Sequence, residues 1–131
     1  MDNPSDWNVL IEDDEPDNVG VLELVFDFHN ATTRIAASGA QCLKMLDEEL
    51  PTFVLVDIQM PEMSGFDLLK IMRSNRLWQR LPVIAVTAHA TSDAQNDILQ
   101  AGFDGYLCKP IDVTSLIDDL CAILAGRQSS D

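Results

Sequence analysis

Basic residues are scarce in this chain of 131 residues, where eight Lys and Arg stand against 22 Asp and Glu, for a formal net charge of −14 at pH 7. A charge of this sign repels phosphate backbones, so we expect no direct binding of nucleic acid. The acidity is compatible with a cation-binding site or a basic partner. Its usual meaning, however, is a well-solvated surface.

Cysteine and long apolar runs are scarce as well. The three cysteines, Cys42, Cys108 and Cys121, lack metal-ligand spacing and are predicted to be reduced core residues, with a lone reactive thiol as the alternative. No apolar run approaches the roughly 18 residues of a membrane span. The N-terminus lacks a basic and then apolar signal sequence. We therefore expect a cytoplasmic protein without a membrane partner.

Apolar runs and helical patterns alternate five times along the chain, without a repeat or a linker. Strands are predicted at residues 9–11, 35–37, 53–56, 82–87 and 106–110. This alternation indicates a single α/β domain, a doubly wound five-stranded parallel sheet with helices on both faces. The domain is expected over residues 8–125, between a polar N-terminal arm (1–7) and a frayed C-terminal tail (126–131).

The first helix is predicted to begin at Pro16, because proline is tolerated in the first turn. Its core stripe is expected to consist of Val21, Val25 and Phe28. Val19 and Phe26 would then face solvent, either as a docking patch or as scattered exposed residues. The last helix is expected to begin at Asp112.

The fourth helix is predicted to be weakly anchored. Between Thr91 and Ala101 only Ile98 and Leu99 are large apolar residues. A helix with so little to bury should be comparatively mobile. Gly102 is expected to cap its C-terminus.

Polar side chains follow four of the predicted strands at the point where each strand ends. The acids at 12–15 follow the first strand, Asp57 the third, Thr87 the fourth and Lys109 the fifth. Each of these is common in loops. In a parallel sheet, however, all four strand ends meet at one edge, which is where ligands bind.

Together these side chains form a chemically coherent set. Clustered carboxylates repel one another unless a divalent cation lies among them, and hard oxygen ligands favour Mg²⁺. A lysine and a hydroxyl nearby can hold a phosphoryl group. Asp57 is therefore a candidate nucleophile, since aspartate forms aspartyl-phosphates in a known class of covalent chemistry.

At these residues the sequence resembles the receiver domain of two-component response regulators. The resemblance extends from about Asn8 to about Leu124. It rests on four motifs: Asp13-Asp14, Val56-Asp57 with the following Met-Pro-Glu-Met-Ser-Gly, Ala85-Val86-Thr87-Ala88, and Tyr106-Leu107-Cys108-Lys109-Pro110. It implies a flavodoxin-like (βα)5 fold with strand order 2-1-3-4-5.

The resemblance implies that Asp57 accepts a phosphoryl group from a histidine kinase or a histidine phosphotransfer domain. It also implies Mg²⁺ as the cofactor. Asp14, Asp57 and the backbone carbonyl of Gln59 are expected to coordinate the ion, with Asp13 acting largely through metal-bound water. Such a domain catalyses its own phosphorylation and dephosphorylation and has no conventional turnover.

Further roles follow from the same resemblance. Lys109 is expected to pair with the phosphoryl oxygens, beside a cis peptide bond to Pro110. Thr87 and Tyr106 are the expected switch residues, which move when Asp57 is phosphorylated. The switch would reshape the surface made by the fourth helix, the fifth strand and the fifth helix.

Three residues are candidate modulators. Glu12 stands where the family usually has an apolar residue; it either replaces one acid of the pair after a register slip or, as we favour, is a partly exposed charge that tunes Mg²⁺ affinity. Gln59 and His89 lie two residues beyond Asp57 and Thr87. They either control the lifetime of the phosphoryl group or are rim residues.

The preferred interpretation is a stand-alone regulator that signals to an unidentified downstream protein. A receiver excised from a hybrid histidine kinase and a phosphorylation-independent interaction module are the alternatives. A phosphatase with an aspartate nucleophile is disfavoured, because Gln59 stands where the second acid of its Asp-x-Asp motif is expected.

Overall fold

The computed structural model describes residues 3–89 and 91–129, and its centre is a five-stranded parallel sheet of order β2-β1-β3-β4-β5. The strands are β1 (Asn8–Glu12), β2 (Thr32–Ala36), β3 (Phe53–Asp57), β4 (Val83–Thr87) and β5 (Gly105–Cys108). The predicted fold class and strand order are confirmed. The second strand lies at an edge, as its weak apolar pattern indicated.

Helices cover both faces of the sheet. They are α1 (Pro16–Phe28), α2 (Gly39–Glu48), α3 (Gly65–Arg73), α4 (Ser92–Ala101) and α5 (Leu116–Ser129). Buried side chains of α1 and α5 form one core layer, and those of α2, α3 and α4 form the other. Within the described part of the chain, no helix is long and apolar enough to cross a membrane.

Local capping sets several helix ends. The hydroxyls of Ser38 and Thr91 accept hydrogen bonds from backbone N–H groups at the starts of α2 and α4. Ser64 and Asp67 form a reciprocal capping box at the start of α3. Gly102 ends α4 with a φ of 111°, a left-handed conformation that glycine adopts without strain.

Trp7, the residue directly before β1, is part of the core, although the sequence placed it in the polar arm at residues 1–7. After a 3-10 turn at Pro4–Asp6, Trp7 is buried. Its ring packs edge-on against Phe53 and Phe26, with centroids 5.1 and 6.4 Å away. An aromatic cluster of this kind binds the first described residues to the sheet.

The predicted core stripe of α1 is wrong. Leu22 and Phe26 are the buried residues of α1, whereas Val21 is 38% exposed and Phe28 is 82% exposed. The proposed patch of Val19 and Phe26 therefore does not exist. Apolar residues occur all round this helix, so periodicity could not select the face, and contact with Trp7 selects Phe26.

The last helix is displaced from its expected bounds. It begins at Leu116, and Asp112 instead closes a turn in which its Oδ1 atom accepts from the backbone N–H of Thr114 at 3.0 Å. The helix runs to Ser129, past the predicted start of a tail at Gly126. Residues 130–131 of that expected tail lie outside the described part.

The cysteines are free thiols, as expected. Cys42 is buried, and Cys108 and Cys121 are half-buried. Burial, followed by the nearby charge of Glu12, raises the pKa of Cys42 to about 12. The Cys42 thiol therefore stays protonated and unreactive at neutral pH.

Candidate functional site

The carboxyl ends of four strands converge on one site. Asp13 follows β1, Asp57 ends β3, Thr87 ends β4 and Lys109 follows β5. Backbone hydrogen bonds continue the ladder here, because the N–H of Lys109 donates to the carbonyl of Thr87 at 2.8 Å and the N–H of Asp13 to the carbonyl of Ala36 at 3.0 Å. The sheet thus brings together the polar side chains that were predicted at the four strand ends.

Three carboxylates form the acidic part of the site. One oxygen each of Asp13, Asp14 and Asp57 lies within 4.8 Å of the others. Asp13 and Asp57 are buried, whereas Asp14 is exposed. Hard oxygen donors this close fit a Mg²⁺ ion, whose positive charge would offset their mutual repulsion.

Asp57 is held on both of its oxygens and is 2% exposed. Its Oδ1 atom accepts from the backbone N–H of Gln59 at 3.0 Å, and its Oδ2 atom accepts from Nζ of Lys109 at 3.0 Å. Burial raises the pKa of Asp57, although the hydrogen bonds from Lys109 and Gln59 oppose that rise. The carboxylate is therefore oriented and paired with a cation.

Lys109 has a second carboxylate partner that sequence reasoning missed. Its Nζ atom also donates to Oε1 of Glu15 at 2.8 Å. Burial lowers the pKa of Lys109, but the hydrogen bonds to Glu15 and Asp57 outweigh it, so that pKa is raised. Spacing gave no signal for the pair, because the two residues are 94 positions apart.

Asp13 differs from Asp14 in its contacts. Its Oδ1 atom accepts from the backbone N–H of Glu15 at 2.9 Å, and its Oδ2 atom accepts from the amide of Asn18. These bonds tie Asp13 to the start of α1. Asp13 is thus already hydrogen-bonded within the protein, whereas Asp14 is exposed.

Thr87 and Tyr106 lie on neighbouring strands, in which Ala85 is the register partner of Tyr106. The hydroxyl of Thr87 is buried and accepts from the backbone N–H of His89 at 3.0 Å. Tyr106 is half-buried and packs against the core layer of α2, α3 and α4. Thr87 therefore connects the site to the loop that leads into α4.

Gln59 and His89 meet across the mouth of the site. Both are exposed, and the Nε2 atoms of the two side chains are in hydrogen-bonding contact. The predicted position on the rim fits this arrangement. The contact joins the loop after β3 to the loop after β4.

Glu12 is not the partly exposed charge that the sequence suggested. It is 0% exposed, lies within β1, and neither carboxyl oxygen has a hydrogen-bond partner in the described part of the chain. Burial, followed by the charges of Asp57, Asp13 and Asp14, raises the pKa of Glu12 to about 8. The close carboxylate group contains Asp13 and Asp14, so Glu12 does not replace a member of the pair.

The peptide bond between Lys109 and Pro110 is cis, as expected.

A doubly wound sheet with clustered acids, a hydroxyl and a lysine at its strand ends defines a receiver-type signalling domain. A family model described as the response regulator receiver domain matches residues 9–120. The chain belongs to this family of two-component signal transduction.

Individual relatives and solved structures are similar to this chain over most of its length. The polar-differentiation response regulator DivK of Brucella ovis is 32% identical over 89% of this chain and 95% of the relative. A solved protein from Chloroflexus aurantiacus is 32% identical, with a TM-score of 0.85 over 91% of this chain and 98% of that one. The chemotaxis protein CheY4 of Vibrio cholerae shares the fold, with a TM-score of 0.82 and 22% identity over 88% of this chain and 97% of that one.

Proposed function

We propose that this domain is a phosphoacceptor in a phosphorelay, in which Asp57 takes a phosphoryl group from a phosphohistidine of a histidine kinase or phosphotransfer domain. The observation that carries the proposal is the position of the Asp57 carboxylate, buried between the Nζ atom of Lys109 at 3.0 Å and the oxygens of Asp13 and Asp14. A nucleophilic carboxylate needs this combination of orientation and positive charge.

In the proposed step, one oxygen of Asp57 attacks phosphorus and an O–P bond forms. The P–N bond of the phosphohistidine breaks, and its electron pair leaves on the imidazole, which takes up a proton. Lys109 keeps one N–H directed at the reacting carboxylate and can follow the charge onto the phosphoryl oxygens. The backbone N–H of Gln59 holds the other carboxylate oxygen in place.

Asp13, Asp14, Asp57 and the backbone carbonyl of Gln59 are the groups that would hold Mg²⁺. Bound Mg²⁺ supplies positive charge that neutralises the transferred phosphoryl group. The clustered carboxylate oxygens support this assignment. Asp13 is also bonded to the start of α1, which fits a less direct role for it than for Asp14.

The proposed output is a change at the surface of α4, β5 and α5. If the Thr87 hydroxyl turns to donate to the phosphoryl group, it gives up the long hydrogen bond that it donates to the carbonyl of His89 at 3.5 Å. The loop before α4 is then free to rearrange, and Tyr106 on the adjacent strand can turn inward. An unidentified downstream protein would bind the rearranged surface.

Intact mass after incubation with a small acyl-phosphate donor tests the acceptor. We expect one phosphoryl adduct that requires Mg²⁺ and that is lost in Asp57→Asn. Asp97→Asn, on exposed α4, is the matched control and should retain the adduct. An adduct that persists in Asp57→Asn would assign the chemistry to another residue. A folded wild type that neither forms an adduct nor binds the phosphate mimic beryllofluoride would favour a phosphorylation-independent interaction module.

A further inference from the structure

Lys109 is shared between two carboxylates of very different exposure. Nζ lies 3.0 Å from Oδ2 of buried Asp57 and 2.8 Å from Oε1 of Glu15, whose side chain is 60% exposed. The Lys109 side chain itself is 16% exposed. The ammonium group is therefore held from inside by the acceptor and from the rim by Glu15.

This arrangement places a negative charge where an anionic donor must approach. Asp57 ends β3 at the carboxyl edge of the sheet, and Glu15 lies at the same edge as the residue before α1, where it contacts Lys109. Along with Asp13 and Asp14, Glu15 adds to the negative charge that an incoming phosphoryl group meets. It also occupies one of the three N–H donors of Lys109.

We propose that Glu15 is a positioning residue that competes with the phosphoryl group for Lys109 and slows phosphorylation by small anionic donors. This inference rests on the proposed phosphoacceptor role of Asp57. On transfer, the negative charge moves from the Asp57 carboxylate to the phosphoryl oxygens, and Lys109 must follow it outward. Glu15 holds the ammonium group in its resting position and repels the group that replaces it.

The substitution Glu15→Gln separates charge from shape. Glutamine keeps the length of the side chain and an oxygen that can still accept from Lys109, but it removes the negative charge. We expect the initial rate of adduct formation with acetyl phosphate to rise about three- to tenfold, as for loss of one nearby, partly exposed charge. The affinity for beryllofluoride with Mg²⁺ should increase by a similar factor.

Two further variants and a salt series distinguish this role from a structural one. Glu15→Asp keeps the charge and should remain near the wild-type rate. Glu23→Gln removes an equal charge from an exposed position on α1, and its rate should not change. The rate advantage of Glu15→Gln should also shrink with ionic strength, because the screening length falls from roughly 30 Å at 0.01 M salt to 3 Å at 1 M.

The results of these experiments distinguish a failure of the Glu15 inference from a failure of the phosphoacceptor proposal. A Glu15→Gln rate that equals the Glu23→Gln rate, or that falls below wild type, overturns the inference while the phosphoacceptor role stands. Absence of any adduct or beryllofluoride binding in folded wild-type protein overturns both. A faster Glu15→Gln rate with the expected loss of its advantage at high salt supports the inference.

Discussion

Glu12 is paired with Val56 in the parallel register of β1 and β3, so a buried carboxyl group that has no hydrogen-bond partner among the described residues lies beside the residue that precedes Asp57. An apolar residue would fill this position without any polar group to desolvate. The chain therefore carries a destabilising group in the core, directly beneath its acidic site.

The first prediction concerns the stability of the apoprotein against pH. The pKa of Glu12 is raised from 4.5 to about 8 in the folded state, so between these values the folded state binds more protons than the unfolded state. The free energy of unfolding should fall as pH rises through this window, by an amount on the order of a few kcal/mol. Glu12→Val should be more stable at the upper end and should lose most of this pH dependence.

Urea denaturation in a chelating buffer, at several pH values between about 5 and 9, measures the effect. Glu23→Gln, which removes an exposed acid from α1, controls for net charge. If the free energy of unfolding changed with pH by the same amount in wild type and in Glu12→Val, Glu12 would not titrate in this window.

The second prediction concerns the cation of the site. Lys109→Met removes the hydrogen bond to Oδ2 of Asp57 and leaves a buried carboxylate without its ammonium partner. The rate of adduct formation should fall roughly a hundredfold, as for removal of a charge-stabilising donor. Intact-mass kinetics give the rate, and Lys70→Met on exposed α3 should match wild type. If Lys109→Met formed the adduct at the wild-type rate, the ammonium group of Lys109 would have no role in the transfer.

The third prediction tests which face of α1 is buried. Phe26→Ala should destabilise the fold by about 3 to 5 kcal/mol, because it opens a cavity against Trp7 and Phe53. Phe28→Ala removes the same side chain from an exposed position and should change stability by no more than about 0.5 kcal/mol. Chemical denaturation of both variants gives the comparison, and similar losses would mean that α1 is rotated.

The fourth prediction separates phosphorylation from switching. Thr87→Ala should still form the adduct at Asp57, but the phosphoryl group then lacks the hydroxyl that connects it to the loop before α4. Hydrogen exchange in α4 should respond to beryllofluoride in wild type and in Thr87→Ser, and not in Thr87→Ala. If beryllofluoride changed hydrogen exchange in α4 of Thr87→Ala as much as in wild type, a residue other than Thr87 would couple the site to α4.

Much of this architecture was predictable, because continuous apolar runs identify strands buried on both faces and parallel strands bring their ends together. That reasoning correctly joined Asp57, Thr87 and Lys109 without any contact being known. It failed for α1, where apolar residues surround the helix and only the tertiary partner Trp7 decides which of them is buried.

Two features of the site were beyond sequence reasoning for a different reason. Glu12 follows an apolar run and precedes more acids, so the run of apolar residues ends before it; only the resemblance, in which this position is usually apolar, hinted that β1 continues through it. Glu15 is one acid among four, and only the fold brings it to Lys109. Burial and long-range pairing of charges depend on side-chain placement, which spacing does not encode.

Within α4, every residue of which is described, Ile98 is the single buried side chain. Full burial of such a side chain is worth only about 1.5 to 3 kcal/mol. Since each 1.4 kcal/mol corresponds to a tenfold ratio, Ile98 favours one placement of α4 over another by roughly ten- to a hundredfold. In the proposed switch, a change of only about 1.5 to 3 kcal/mol at the site would therefore be enough to offset the burial of Ile98 and shift α4.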